Sequence, residues 1–215
     1  HVVSGVLRGA LPMGAPRYGG CLFEGGGGDL TALTEALGML KTGKMTEEEY
    51  RHLENYTGPG CGSCSFFGTA NTMCCLAEAL GLSLPGSATI PATRADRLRA
   101  AQESGRQIVR MIMEGVTARR IINLKSIENT IRLNAAVGGS TNAILHLLAI
   151  AYEADVDLNV DKFEELSRRT SLIAKIFPVA AECARFTFCR HREDLCDQGS
   201  PSAKLFKLVH IDVHV

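Results

Sequence analysis

Two cysteines three positions apart, Cys61 and Cys64, stand in a Gly-Pro-Gly-Cys-Gly-Ser turn at the head of the run PGCGSCSFFGTANTMCCLAEALGLSLPG, residues 59–86. Directly after the turn, Ala70, Met73, Ala77 and Leu80 recur at the spacing of one helix face and predict a helix closed by Gly81. That reading puts Cys64 at the helix start, where unpaired N–H groups and the positive end of the dipole favour an anion and lower the pKa of a thiol. A thiolate there is a nucleophile or a metal ligand. The alternative is a thiol buried as a small hydrophobe. The surrounding glycines favour chemistry, because they let the backbone pass close to a bound group. A Cys61/Cys64 redox pair is a third reading, disfavoured because no βαβ pattern surrounds the C-x-x-C. Cys74 and Cys75, in the body of the helix, read as structural, with at least one facing the core.

A second Gly-rich turn, Gly138-Gly139-Ser140-Thr141-Asn142, leads into a helix with Ile144, Leu147, Leu148 and Ala151 on one face. Such turns bind anions through backbone N–H groups and hydroxyls. Ser140 and Thr141 are equally ordinary N-caps. His146, inside this helix, reads as a partly buried, satisfied histidine. The glycines at 25–28 lack a GxxxxGK[ST] or GxGxxG context and read as a loop ahead of a helix. Past Phe177 the helical period fades, and Cys183, Cys189, His191 and Cys196 offer four zinc ligands in a spacing that is not a standard finger.

Lys plus Arg (23) balance Asp plus Glu (23) over 215 residues, which leaves no field to attract nucleic acid or an anionic membrane surface. Apolar residues make up 46% and charged residues 21%, a globular composition. No window reaches the ~20 apolar residues of a membrane helix, and the first residues lack a signal-peptide core. The expectation is a cytoplasmic protein, or one lacking its targeting segment. Eight cysteines in a largely helical pattern point to reduced thiols or a metal centre rather than a disulfide scaffold.

The elements that must position these turns follow from caps and periodicity. Leu30, Leu33, Leu37 and Leu40 form one face of a helix capped by Asp29. Thr46 and Glu49 form a capping box for a helix through about Asn55. Thr93 with Asp96 caps a helix to about Glu114, with Leu98, Ala101, Ile108 and Ile112 inward and Gly115 as its stop. Thr117 and Ser126 cap two shorter helices, the second ending at Val137. Asp161 and Glu164 cap a last one through Arg169.

Taken together, CGSCSFFGTANTMCCLAEALGLSLPGSATIPA (61–92), GVTARRIINLKSIENTIRLNAAVGGSTNAILHLLAIAYEADVDL (115–158) and GKMTEEEYRHLE (43–54) resemble the dihydroxy-acid and sugar-acid dehydratase family, over about residues 1–178. The C-x-x-[MF]-x-T-A-[NS]-T-M run followed by GGSTN carries the likeness. The resemblance implies an α/β fold, of which this chain is the mostly helical portion of a layered α/β N-terminal domain, without the C-terminal β-barrel-like domain. It implies a hydro-lyase that removes water from a 2,3-dihydroxy carboxylate, a dihydroxy acid or sugar acid, to give a 2-keto acid. The implied cofactors are an iron–sulfur cluster (2Fe-2S or 4Fe-4S) held by three cysteines and Mg²⁺. Of those cysteines, the one in the C-x-x-[MF]-x-T-A motif matches Cys64, and Cys61 aligns with no ligand. Ser140, Thr141 and Asn142 are placed near the substrate by their anion-binding geometry, and a homo-oligomer is implied for the intact enzyme.

Departures from the family accompany the likeness. The Cys-Asp-Lys motif, a still earlier cysteine and the later Thr-Asp-Gly-Arg-x-Ser motif, whose serine is taken as the base, have no counterpart here, so no catalytic residue is assigned. From about Val179 the chain leaves the family pattern, and 179–215 reads as an atypical Cys/His-rich tail, disordered or frame-shifted. The expectation is a piece inactive by itself. The alternative is a non-catalytic helical metal-binding or interaction domain with a zinc-binding tail.

Overall fold

The computed structural model describes residues 21–23, 26–28, 30–57, 62–63, 67–90, 92 and 94–174. Cys61, Cys64, Asp29, Thr93 and the Cys/His-rich tail lie outside them. Two three-residue strands, β1 (Cys21–Phe23) and β2 (Gly26–Gly28), pair antiparallel with Cys21 opposite Gly28. Among the described residues the other regular elements are helical: α1 (Leu30–Lys41), α2 (Glu47–Tyr56), α3 (Thr69–Ala79), a 3₁₀ turn at Ser87–Thr89, α4 (Ala95–Met113), α5 (Ala118–Ile121), α6 (Leu124–Ala136), α7 (Asn142–Glu153) and α8 (Asp161–Arg168). The described part is thus a mostly helical domain. No helix among the described residues is long and apolar enough to cross a membrane.

The core is built where α3, α6, α7 and α8 meet. Leu76 and Leu80 from α3, Ile127 and Leu133 from α6, Leu147 from α7 and Leu166 from α8 are each under 2% exposed. Fully burying one such side chain contributes about 1.5–3 kcal/mol. The Leu147 and Ala151 face of α7 packs inward as expected, with Ile144 and Leu148 half-buried beside it. Past α8, the Ile173 and Ala174 N–H groups donate to Ala136 O at 2.7 and 3.1 Å and satisfy a carbonyl at the end of α6.

Several local expectations hold. Thr46 and Glu49 form the reciprocal capping box of α2. Gly115, at φ 67, ends α4, because the left-handed region costs a glycine little. Others need correction. α3 begins at Thr69, five residues beyond Cys64, so the helix-start argument for that thiol is not carried by the fold. Nor is α3 one-sided. Asn71, Thr72, Cys74, Cys75, Leu76, Glu78, Ala79 and Leu80 are buried, while Ala70, Met73 and Ala77 are only half-buried, because neighbours pack around most of its girth. On α1 the buried residue is Ala36, and Leu37 is 39% exposed.

α4 departs most. Leu98 and Ile112 are 76% and 66% exposed, and Ala101 and Ile108 only half-buried. The buried residue is Arg97, whose Nη1 donates to Ser87 O at 2.7 Å. Asp96 pairs with Arg94 and Arg99, and Thr93, its expected capping partner, lies outside the described residues. Two caps also shift. α6 is capped by Asn123, with Ser126 returning the bond from the third helical position. The hydrogen bond at the start of α8 comes from Asn159 Oδ1, which accepts from Lys162 N at 3.1 Å. His146 is exposed rather than partly buried. At both caps a neighbouring side chain satisfies the same orphan N–H groups equally well.

Candidate functional site where two turns meet

The first turn of α3 reads Thr69-Ala70-Asn71-Thr72. Residues three apart on a helix share a face, so Thr69 and Thr72 project together, and what they meet is the second Gly-rich turn. Thr69 Oγ1 accepts from Asn142 Nδ2 at 2.8 Å and lies 3.3 Å from Ser140 Oγ. Thr72 Oγ1 accepts from the Ser140 backbone N–H at 3.0 Å. The two motifs singled out in the sequence are therefore one structure, joined by three polar contacts that span 68 to 73 residues of chain.

The third polar residue of that turn faces the other way along the chain. Asn71 is 4% exposed, and its Oδ1 accepts from Ser63 Oγ at 2.6 Å. Ser63, which immediately precedes Cys64 in sequence, is thus fastened to the same helical turn that grips residues 138–142.

Close approach explains the second glycine of GGSTN. A Cβ on Gly139 would sit 2.1 Å from Asn134 Oδ1 and 2.9 Å from Thr72 Cγ2. Gly138, at φ 63, reverses the chain after α6. α7 then starts at Asn142 with Thr141 as N-cap, but the Thr141 side chain makes no capping hydrogen bond, nor does Gly68 at the start of α3. Instead Ser140 Oγ accepts from Asn142 N at 3.3 Å. Two helix starts with their positive dipole ends thus converge beside a pair of hydroxyls, with Thr141 and Asn142 exposed to solvent and Thr69 and Ser140 half-exposed. An arrangement of this kind can receive a carboxylate and hydrogen-bond a hydroxyl.

Of the site residues expected from sequence, Ser140 and Asn142 are brought to this junction and Thr141 stands beside it; Cys64 lies outside the described residues. Thr69, Asn71 and Thr72 were not anticipated as site residues. The signal available was the two threonines at helical spacing in TANT, which pattern reading absorbs as helix-interior polar positions.

Cys74 and Cys75 are structural. Cys74 is buried, and its pKa is pushed from 9.0 up to about 11, chiefly by burial, against the pull of the Arg97 guanidinium beside it. Burial holds the Cys75 thiol well above its ordinary value too. Both are therefore neutral and unreactive at neutral pH. Glu78, also buried, accepts from Gly86 N at 2.6 Å and Ala88 N at 3.1 Å, so α3 ties down the connector at its far end. Among the described residues no three His, Cys, Asp or Glu side chains come together as a metal-binding group.

A helical domain that presents a TANTM turn against a GGSTN turn defines the class. The dihydroxy-acid/6-phosphogluconate dehydratase N-terminal family matches residues 2–188, and the chain belongs to that family. It is 47% identical over 156 residues to a dihydroxy-acid dehydratase of Pyrococcus furiosus, an alignment covering 73% of this chain and 28% of the relative. Against the dihydroxy-acid dehydratase of Moorella thermoacetica it is 38% identical over 214 residues, 96% of this chain and 37% of the relative. For that of Caldanaerobacter subterraneus the identity is 42% over 204 residues, 93% and 35% respectively. The chain thus spans about a third of the length of these relatives.

Proposed function

We propose that this chain serves as part of a hydro-lyase acting on a 2,3-dihydroxy carboxylate. The C3 hydroxyl leaves as water, the C2 proton is removed, and the resulting enol tautomerises to a 2-keto acid. The observation that carries this reading is the junction of Thr69 with Ser140 and Asn142, which joins the family's two motifs into one polar, glycine-walled surface. Ser140, Thr141 and Asn142 receive the substrate there. Their hydroxyls and N–H groups, aided by two helix dipoles, hold its carboxylate and orient its diol. Proton transfer is not assigned to any described residue.

Cys64 is proposed as one thiolate ligand of an iron–sulfur cluster, of 2Fe-2S or 4Fe-4S type, with Mg²⁺ as a second cofactor. When bound, such a centre supplies a Lewis acid for the leaving hydroxyl. No three His, Cys, Asp or Glu side chains cluster among the described residues, so a full ligand set would draw on residues beyond them. The described helices would form one part of a layered α/β domain in a cytoplasmic, homo-oligomeric enzyme. The balanced charge of 23 basic and 23 acidic residues supports a small-molecule partner over nucleic acid or a membrane surface.

The test is iron and acid-labile sulfide content after anaerobic reconstitution of the 215-residue chain beside Cys64→Ser. Iron and sulfide that bind to the native sequence and fall away with the substitution support the assignment. Stoichiometric zinc without iron sinks it in favour of a zinc-binding tail. The chain alone is expected to show no turnover of 2,3-dihydroxyisovalerate or a pentonate, and 2-keto acid formation by it would overturn that expectation.

A further inference from the structure

Thr72 touches no solvent, yet it makes two different contacts with the 138–142 turn. Its hydroxyl oxygen takes the Ser140 N–H at 3.0 Å, and its methyl lies 2.9 Å from the place a Cβ on Gly139 would occupy. Neither contact is needed for α3 itself, whose helical bond at this position runs from Thr72 N to Gly68 O. Asn134 Oδ1 from α6 crowds the same place even more closely. The turn is thereby packed against both α6 and one threonine. The height at which Ser140 Oγ sits against Thr69 Oγ1 follows from where Thr72 places the Ser140 amide.

We propose that Thr72 is a positioning residue: its hydroxyl fixes the Ser140 amide and its methyl backs Gly139, which together hold the Ser140–Asn142 turn at the level where substrate is received. The assignment rests on the reading of that turn as the substrate surface. It requires both halves of the threonine side chain. Valine keeps the shape and loses the acceptor; serine keeps the acceptor and loses the methyl. A purely structural role makes no such distinction, since both substitutions would then loosen the whole domain alike.

The experiment compares the native 215-residue chain with Thr72→Val and Thr72→Ser by backbone amide hydrogen exchange, taking the ratio of the Ser140 rate to that of Leu147 in the core of α7. In Thr72→Val the ratio is expected to rise about tenfold, as loss of one hydrogen bond implies, while Thr72→Ser stays within about threefold of native. Equal ratios in all three chains overturn the proposal. So does a rise in Thr72→Ser as large as in Thr72→Val. If Thr72→Val fails to fold, Thr72→Cys replaces it, because a thiol is a poor acceptor of similar size; a Ser140 ratio equal to that of Thr72→Ser overturns the proposal. D-Glycerate, the simplest 2,3-dihydroxy carboxylate, is then titrated while the Ser140 and Asn142 resonances are followed. Native shifts that weaken in Thr72→Val and return in Thr72→Ser support the assignment. Native resonances that ignore D-glycerate, with the exchange result intact, overturn the substrate reading and with it the role at the site, but not the geometry.

Discussion

The side-chain amide of Asn142 donates to Thr69 Oγ1 at 2.8 Å, joining the first residue of α7 to the first residue of α3. This bond brings the starts of two helices, far apart in sequence, to one surface. Because Asn142 is exposed, its contribution is modest. A double-mutant cycle of Thr69→Val and Asn142→Ala, read by urea unfolding, should give a coupling of about 0.5–1 kcal/mol. A coupling indistinguishable from zero would mean that the two helix starts are held only by Thr72 and the core.

Gly139 leaves no room for a side chain. Its Cβ would meet Asn134 Oδ1 at 2.1 Å and Thr72 Cγ2 at 2.9 Å. Both are side-chain ends, so the neighbours yield at a cost rather than block folding. Gly139→Ala is expected to destabilise by about 1–3 kcal/mol, the range of overpacking in a tight interior. Gly105→Ala on α4, where nothing lies within 4 Å, should instead stabilise the helix by up to about 1 kcal/mol. Paired thermal melts of the two variants check both signs.

The Glu78 carboxylate answers two backbone N–H groups of the 86–88 connector. Glu78→Ala strands both in a buried setting. A loss of about 2–4 kcal/mol is expected, the cost of two unsatisfied donors less some recovery by water. Urea unfolding of the variant within 1 kcal/mol of native would show that the connector finds other partners.

The buried thiols make stability fall at high pH. Cys74 is raised from its ordinary 9.0 to about 11, and Cys75 is also held well above its ordinary value, each mainly by burial. A raised folded-state pKa means that the stabilising contribution is complete below pH 9. It is lost as the pH climbs through 9 toward 11, where the unfolded chain has released the proton and the folded chain has not. For Cys74 alone the loss amounts to about 2–3 kcal/mol. Unfolding free energies measured from pH 8 to 11 should drop, and Cys74→Ala should flatten part of that drop.

On α4 the apolar stripe is exposed, with Leu98 at 76% and Met113 at 82%. Leu98→Gln should therefore change the stability of this chain by no more than about 0.5 kcal/mol. A loss above 2 kcal/mol in a melting experiment would show that the stripe is covered in solution.

Much of the local structure was legible in the chain. The capping box of Thr46 and Glu49, the chain reversal at Gly115 and the buried face of α7 each depend on residues within a turn or two of one another, and short-range chemistry decides them. The inward face of α4 was misread for a physical reason. Its apolar period predicts a buried side, but which side meets the core depends on where α3 and the 86–88 connector lie. There a buried arginine found a carbonyl to bind. Asn123 and Asn159 took over capping roles because several polar side chains near a helix start can satisfy the same N–H groups, and only their relative placement chooses among them.

By itself, the sequence determined the helical character of the domain, the glycine-rich turn at 138–142, and family membership through TANTM and GGSTN. Periodicity, caps and motif order are written in neighbouring residues. Only the tertiary structure decided that Thr69 and Thr72 of the first motif grip Ser140 and Asn142 of the second, and that Asn71 holds the residue before Cys64. Contacts across some 70 residues are set by how α3, α6 and α7 pack around Leu76, Ile127 and Leu147, and no local pattern encodes that geometry.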